Sequence, residues 1–160
     1  MSYWHDVPSP IGQMVLLGDG EALTGLLYPG HTTVSLAEGA TSDPGPFREV
    51  VRQLEEYFAG ERTTFDVPIH PHGTEFQRRC WEALLTIPYG QTRSYGEIAA
   101  AVGEPGAARA VGLANNRNPI SIIVPCHRVI GADGSLTGYG GGMAAKRYLL
   151  DLEARGSTLF

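Results

Sequence analysis

Ser94-Tyr95-Gly96-Glu97-Ile98-Ala99-Ala100-Ala101-Val102, then Gly103-Glu104-Pro105-Gly106, then Ala107-Ala108-Arg109-Ala110-Val111-Gly112-Leu113-Ala114-Asn115, is the stretch whose reading decides the fold. Ser94 and Glu97 stand three residues apart in capping-box form, so each can satisfy a backbone N–H that the start of a helix leaves open. Ile98, Ala99 and Val102 supply the apolar face of that short helix. Gly103 to Gly106 is a turn by composition, and a second helix is expected from Ala107 to about Asn115. Two helices across a tight turn make a helix-turn-helix. Helical hairpins are also common in protein cores, so the geometry alone does not assign DNA binding.

The same patterning continues outward. Thr74-Glu75-Phe76-Gln77 is another capping box, opening a helix through Trp81, Leu84 and Leu85 that ends before Pro88-Tyr89-Gly90. A last helix presents Tyr148, Leu149 and Leu152 inward, with Gly156 expected just past its end. Ile120-Ser121-Ile122-Ile123-Val124 is apolar and β-branched, which predicts a buried strand or extended segment. Upstream the character changes. Gln13–Leu17 and Ala22–Tyr28 flank Gly18-Asp19-Gly20 and read as a hairpin. Residues 38–46 read as a loop, followed by a helix with Phe47, Val50, Val51, Leu54, Tyr57 and Phe58 on one face and Gly60 as its stop. Residues 66–73 hold two prolines and a glycine and read as a linker. The expected class is therefore α+β, with domains at 1–73 and 74–160.

A chain of 160 residues suits one compact domain or two small ones. No apolar run approaches the roughly 20 residues of a membrane span, and Met1 to Asp6 lacks the basic start and apolar stretch of a signal peptide. No membrane association is expected. Cys80 and Cys126 are too few for a disulfide framework and form no zinc-type pair. A cytoplasmic, reducing location follows as the expectation. Net charge is −5, but residues 1–73 hold 3 Lys/Arg against 10 Asp/Glu, while residues 74–160 hold 9 against 7. Any nucleic-acid contact belongs in the second half. Compositional drift between two domains explains the asymmetry equally well.

The chemistry concentrates in Val124-Pro125-Cys126-His127-Arg128-Val129-Ile130-Gly131. Burial raises a thiol's pKa above its ordinary value of about 8.5, so a buried cysteine needs a proton acceptor before it can attack. His127 can be that acceptor if the chain bends or a water relays the proton, because neighbours on an extended chain point apart. An arbitrary Cys-His pair is more often an inert buried thiol beside a hydrogen-bonded imidazole.

The surroundings change that balance. Asn118-Pro119-Ile120, Pro125-Cys126-His127-Arg128-Val129-Ile130-Gly131 and Gly138-Tyr139-Gly140-Gly141 together resemble the active-site region of the O6-alkylguanine-DNA alkyltransferases. The resemblance extends over Ser94–Ala99, Ala107–Gly112 and Lys146–Glu153, and more loosely over Ser9-Pro10-Ile11-Gly12. Ordered motifs at compatible spacings carry far more weight than one pattern.

The resemblance implies a small ribonuclease-H-like N-terminal sheet domain and a helical, winged-helix-like C-terminal domain. It implies direct-reversal DNA repair, in which the alkyl group of O6-alkylguanine, and of O4-alkylthymine, passes irreversibly to Cys126, once per molecule. It makes His127 the base, Glu153 the carboxylate that orients it, and Asn118 the brace of the site. Glu153 alone would read as an exposed residue of a terminal helix. Tyr95 matches the tyrosine that protonates the departing base, although alone it would read as a packed aromatic near a helix start. The carbonyls of Cys126 and Val129 and the N–H of Gly140 are expected to read the guanine edge, with Tyr139 lining the alkyl pocket. Arg109 matches the arginine that fills the space left by a flipped nucleotide. Ala107, Ala108, Ala110 and Gly112 are small enough for close approach to a minor groove.

The implied partner is alkylated double-stranded DNA, bound by a monomer and without a cofactor. No metal is expected. Some relatives bind zinc in the N-terminal domain, but residues 1–73 hold no cysteine, and His5, His31, His70 and His72 make no ligand set. Gly140 stands where many relatives carry a larger residue, so a looser loop is expected. Three rivals are weaker. A non-enzymatic lesion sensor would lack Cys126, and a transcription factor would want base-reading polar residues on the second helix. A thiol hydrolase would want a visible oxyanion arrangement.

Overall fold

The two apolar runs around Gly18-Asp19-Gly20 form adjacent strands of the N-terminal sheet. In the computed structural model, which describes residues 2–28, 39–136 and 142–157, β1 is Tyr3–Val7, β2 Met14–Gly18 and β3 Leu23–Leu27. β2 pairs antiparallel with both neighbours. Asp19 closes the turn between β2 and β3: its Oδ1 accepts from the N–H groups of Glu21 and Ala22, each at 2.8 Å. A short polar side chain commonly serves a turn in this way. β4 (Thr41–Ser42) adds parallel to β1, giving the order β3-β2-β1-β4. This corrects the expected loop at 38–46. Two exposed residues carry no periodicity, and only backbone pairing to β1 makes them a strand.

A 3₁₀ turn (Gly45–Phe47) leads into α1 (Arg48–Phe58), which buries Val50, Gln53, Leu54 and Tyr57. The chain leaves the helix through Gly60 at φ 79°, a left-handed position that glycine takes without steric cost.

The outer edge of β3 is not left open. Leu23 N–H donates to Pro68 O at 2.9 Å, and His70 N–H to Leu23 O at 2.8 Å. Further along the edge, Leu26 N–H donates to Pro119 O at 2.8 Å, and Ser121 N–H to Leu26 O at 3.2 Å. The segment read as a linker therefore lies pinned to the sheet. Covering an edge strand removes a template for unwanted pairing. It also anchors the segment that leads to Cys126 on the N-terminal sheet.

The second half carries α2 (Glu75–Leu84), α3 (Tyr95–Ala101), α4 (Ala108–Asn116) and α5 (Met143–Ser157). Both capping boxes form, Thr74 with Gln77 and Ser94 with Glu97. Trp81 Nε1 donates to Ala114 O at 2.9 Å and ties α2 to α4. β5 (Arg93–Ser94) pairs in parallel with β6 (Val129–Ile130), which sets the start of α3 beside the residues that follow Cys126. Gly156 lies inside α5 rather than past its end. A Cβ there would sit 2.5 Å from the Tyr89 hydroxyl, so the glycine serves a close approach and not a stop.

Buried residues of both halves form one continuous cluster, from Leu16, Leu26 and Tyr57 through Trp81 and Ile120 to Leu149. Burying each of these aliphatic side chains contributes roughly 2 kcal/mol. No helix among the described residues is long and apolar enough to cross a membrane.

Candidate active site

The segment 120–124 departs from the extended form its composition predicts. Ile120 makes a single bridge to Leu26, and then the chain turns. Ile123 N–H donates to Ser121 O at 2.9 Å around Ile122, which has φ 73°. That is a γ-turn of the rare, strained hand, and a β-branched residue is a poor occupant of it. Three residues later the mirror turn follows: Cys126 N–H donates to Val124 O at 2.8 Å around Pro125 at φ −81°, ψ 66°, an inverse γ-turn. Asn118 holds the pair of turns together. Its Nδ2 donates to Val124 O at 2.8 Å, and its Oδ1 accepts from Ile120 N–H at 3.0 Å. Strain of this kind persists only where surrounding bonds over-determine it.

Out of the second turn comes a 3₁₀ turn, Cys126–Arg128, with all three side chains buried. Cys126 is 2% exposed. Burial pushes its thiol up to about 11, against weaker opposing effects of the Asn118 side chain, the Lys146 charge and the Ser121 side chain. At neutral pH this sulfur is protonated and needs a base.

His127 is fully buried, with Nε2 2.7 Å from Glu153 Oε2. Glu153 is also buried, at 1% exposure, which corrects the plain reading of it as a surface residue. Burial alone would raise its carboxyl; the hydrogen bond from His127, and the hydrogen bonds and charge of Arg128, instead bring it down to about 2. An ionised carboxylate can only accept, so Nε2 carries the imidazole proton and Nδ1 keeps its lone pair. No group among the described residues hydrogen-bonds to Nδ1, although it is buried. Burial also lowers the pKa of His127 despite the opposing pull of Glu153, so the ring is neutral and able to accept a proton.

Glu153 is held from several directions. Arg128 Nε donates to Oε1 at 2.7 Å and Nη2 to Oε2 at 3.0 Å, while Arg128 Nη1 donates to Ile87 O at 2.7 Å. Tyr57 in α1 donates its hydroxyl to Oε2 at 2.6 Å. Lys146, seven residues before Glu153 and so on the same face of α5, is buried and donates from Nζ to Val129 O at 2.5 Å.

The carbonyls expected to face a guanine are already engaged. Cys126 O accepts from Val129 N–H and from Asn115 Nδ2, the latter at 3.2 Å. Val129 O accepts from Lys146 and keeps one lone pair, since a carbonyl has two. Tyr139 and Gly140 lie outside the described residues.

Tyr95, half-buried at the first position of α3, sits beneath α4: a Cβ on Gly112 would come 3.9 Å from its ring. Gly112 thus faces the Tyr95 ring, at a distance that would admit a Cβ. Arg109 and Ala110 are exposed on α4, and Ala107 and Ala108 are half-exposed. α4 begins without a side-chain cap, and Leu113, at 63% exposure, continues the outer face.

Sequence reasoning missed Tyr57, Lys146, Asn115 and Ser121, and treated Arg128 only as part of a motif. Lys146 had a signal: a lysine at heptad distance from Glu153 on a buried stripe. Tyr57 read as one more apolar residue of an amphipathic face, and its hydroxyl partner is 96 residues away.

Comparison with known proteins agrees with this geometry. Residues 2–71 match the family described as 6-O-methylguanine DNA methyltransferase, ribonuclease-like domain, and residues 75–155 match its DNA binding domain. The chain is 60% identical over 153 residues to a methylated-DNA–protein-cysteine methyltransferase of Mycobacterium bovis, covering 96% of this chain and 93% of the relative. It is 55% identical over 152 residues to that of Methanosarcina acetivorans, covering 94% and 97%. The crystal structure of the Mycobacterium tuberculosis O6-methylguanine methyltransferase superposes with a TM-score of 0.91 at 59% identity, covering 97% of this chain and 94% of that one. A crystal structure of the M. tuberculosis protein in complex with DNA gives 0.91 at 58% identity, covering 96% and 94%. The chain belongs to the 6-O-methylguanine DNA methyltransferase family.

Proposed function

We propose that this protein repairs alkylated DNA by direct reversal, moving the alkyl group of O6-alkylguanine, and of O4-alkylthymine, onto its own Cys126 sulfur. The observation that carries the reading is a buried thiol followed directly by a neutral imidazole whose Nδ1 has no partner among the described residues and whose Nε2 is fixed by an ionised carboxylate. Nucleophile, base and orienter are what an activated thiol needs.

In the proposed reaction His127 Nδ1 takes the thiol proton through a water. The sulfur lone pair attacks the alkyl carbon, the carbon–oxygen bond breaks, and its electrons remain on the base. Tyr95 donates its hydroxyl proton to the departing ring and is reprotonated at the expense of the His127 imidazolium. The products are neutral guanine and a thioether on Cys126. Nothing among the described residues of the site cleaves a thioether, and on this reading each molecule acts once. The balance closes without a cofactor.

For the DNA we propose the minor groove of a duplex, met by α4. The small residues Ala107, Ala108, Ala110 and Gly112 permit close approach, and exposed Arg109 is free to enter the stack in place of the rotated nucleotide. Val129, Tyr139 and Gly140 then meet the flipped base. To accept from guanine, Cys126 O must exchange one of its present donors, whereas Val129 O has a lone pair to offer. The matched ranges 2–71 and 75–155 support a division into domains at 1–73 and 74–160. We propose a monomer working in the cytoplasm, where Cys126 stays reduced.

The test is Cys126→Ser. It is expected to abolish repair of an O6-methylguanine duplex while leaving affinity for that duplex within a few-fold of wild type. Repair surviving the substitution would overturn the assignment of the acceptor.

A further inference from the structure

We infer that Tyr57, in the N-terminal half, is a positioning residue of the acceptor site, its hydroxyl holding Glu153 where it can orient His127. The inference rests on the reading of His127 and Glu153 given above. It assigns to the sheet domain a direct part in preparing the thiol.

The geometry is specific. Tyr57 is fully buried and its hydroxyl donates to Glu153 Oε2 at 2.6 Å, the same oxygen that accepts from His127 Nε2 at 2.7 Å. Burial, with the Glu153 charge beside it, pushes the phenol well above its ordinary range, so it stays a donor at every relevant pH. The ring is boxed by Phe58, Phe65 and Tyr89, at centroid distances of 5.3, 5.3 and 6.3 Å. Two torsions held by such packing place an oxygen more firmly than a long flexible side chain would. Arg128 supplies the charge that keeps Glu153 ionised, but it reaches Oε2 only at 3.0 Å while its closer contact is to Oε1. Tyr57 is therefore the shortest contact to the oxygen that faces the imidazole.

The electrostatic consequence has a definite sign. The ionisable groups around the pair are Tyr57 from α1, Tyr89 from the loop before β5, Arg128 beside His127, and Lys146 from α5. Of these, Arg128 and Lys146 disfavour a protonated imidazole and Glu153 favours it. Donation by Tyr57 withdraws charge from Oε2. Without it the carboxylate holds the imidazolium more strongly, and the base becomes protonated at a higher pH.

The experiment is single-turnover transfer from an O6-methylguanine duplex as a function of pH, for wild type, Tyr57→Phe, Phe65→Leu and Glu153→Gln. Tyr57→Phe keeps the ring and removes only the hydroxyl. It is expected to slow transfer at neutral pH by roughly tenfold, the scale on which a displaced orienting group costs a reaction step. It should also move the acid limb of the profile upward. Phe65→Leu loosens the same box without touching Glu153; it is expected to lower Tm and leave the limb in place. A Tyr57→Phe profile identical to wild type, or one shifted no more than that of Phe65→Leu, would overturn the positioning role. Should Glu153→Gln also transfer at the wild-type rate, the reading of Glu153 itself falls, and not merely that of Tyr57.

Discussion

Asn118 and Val124 are joined by an amide-to-carbonyl hydrogen bond of 2.8 Å that spans the left-handed turn at Ile122. The same amide's oxygen takes Ile120 N–H, so one side chain fixes both ends of the turn. The direction in which Cys126 leaves the loop depends on this clamp. Asn118→Ala leaves the buried Ile120 N–H without its partner, which costs about 1–3 kcal/mol, while Val124 O keeps its bond from Cys126 N–H. Urea unfolding is expected to show a loss in that range, and transfer should slow as the thiol loses its placement. Asn118→Asp keeps the acceptor for Ile120 N–H but buries a carboxylate oxygen against Val124 O, so it should be no better than alanine.

Ile122 itself offers an unusual comparison. It is 1% exposed, so truncation loses core packing. Yet its φ of 73° is a conformation that L side chains adopt at a cost and glycine does not. Ile122→Gly is therefore expected to be no less stable than Ile122→Ala, and more stable by about 1 kcal/mol, although glycine fills less space. Denaturation midpoints of the two variants check the ordering.

This turn marks where the sequence could not be read through to structure. Four β-branched residues among five favour an extended strand, and nothing in local propensity announces a reversal. The turns are imposed by Asn118 from outside the run and by pairing to Leu26, nearly a hundred residues earlier. The helices were legible because their signals are local: both capping boxes, and apolar spacing along α1 and α2. The acceptor thiol and its imidazole were legible as neighbours in one motif. The donors that complete the site were not, because Tyr57 and Lys146 reach their partners only through tertiary packing.

Acid stability should carry the mark of Glu153. Its carboxyl lies at about 2 in the folded protein against an ordinary 4.5, so its ionised form is favoured by folding. That contribution is complete above about pH 4.5 and is lost as pH falls toward 2. The shift corresponds to on the order of 3 kcal/mol for this buried group. Glu153→Gln is expected to flatten the dependence of unfolding free energy on pH across this window, which chemical denaturation at several pH values measures.

Arg109 is exposed on α4. If it stabilises an opened duplex, Arg109→Ala should slow repair of O6-methylguanine in double-stranded DNA by roughly tenfold or more, since flipping costs a few kcal/mol. Reaction with the free base O6-benzylguanine should change little. Parallel single-turnover assays on the two substrates separate these effects, and equal losses on both would count against the wedge.

The most direct measurement is mass spectrometry of the protein after incubation with duplex DNA containing O6-methylguanine, followed by peptide mapping. The account predicts a gain of one methylene per molecule, confined to the peptide that carries Cys126, with Cys80 unmodified and repaired guanine never exceeding the protein present. An unmodified protein beside repaired DNA, or the added mass on any other residue, would contradict it.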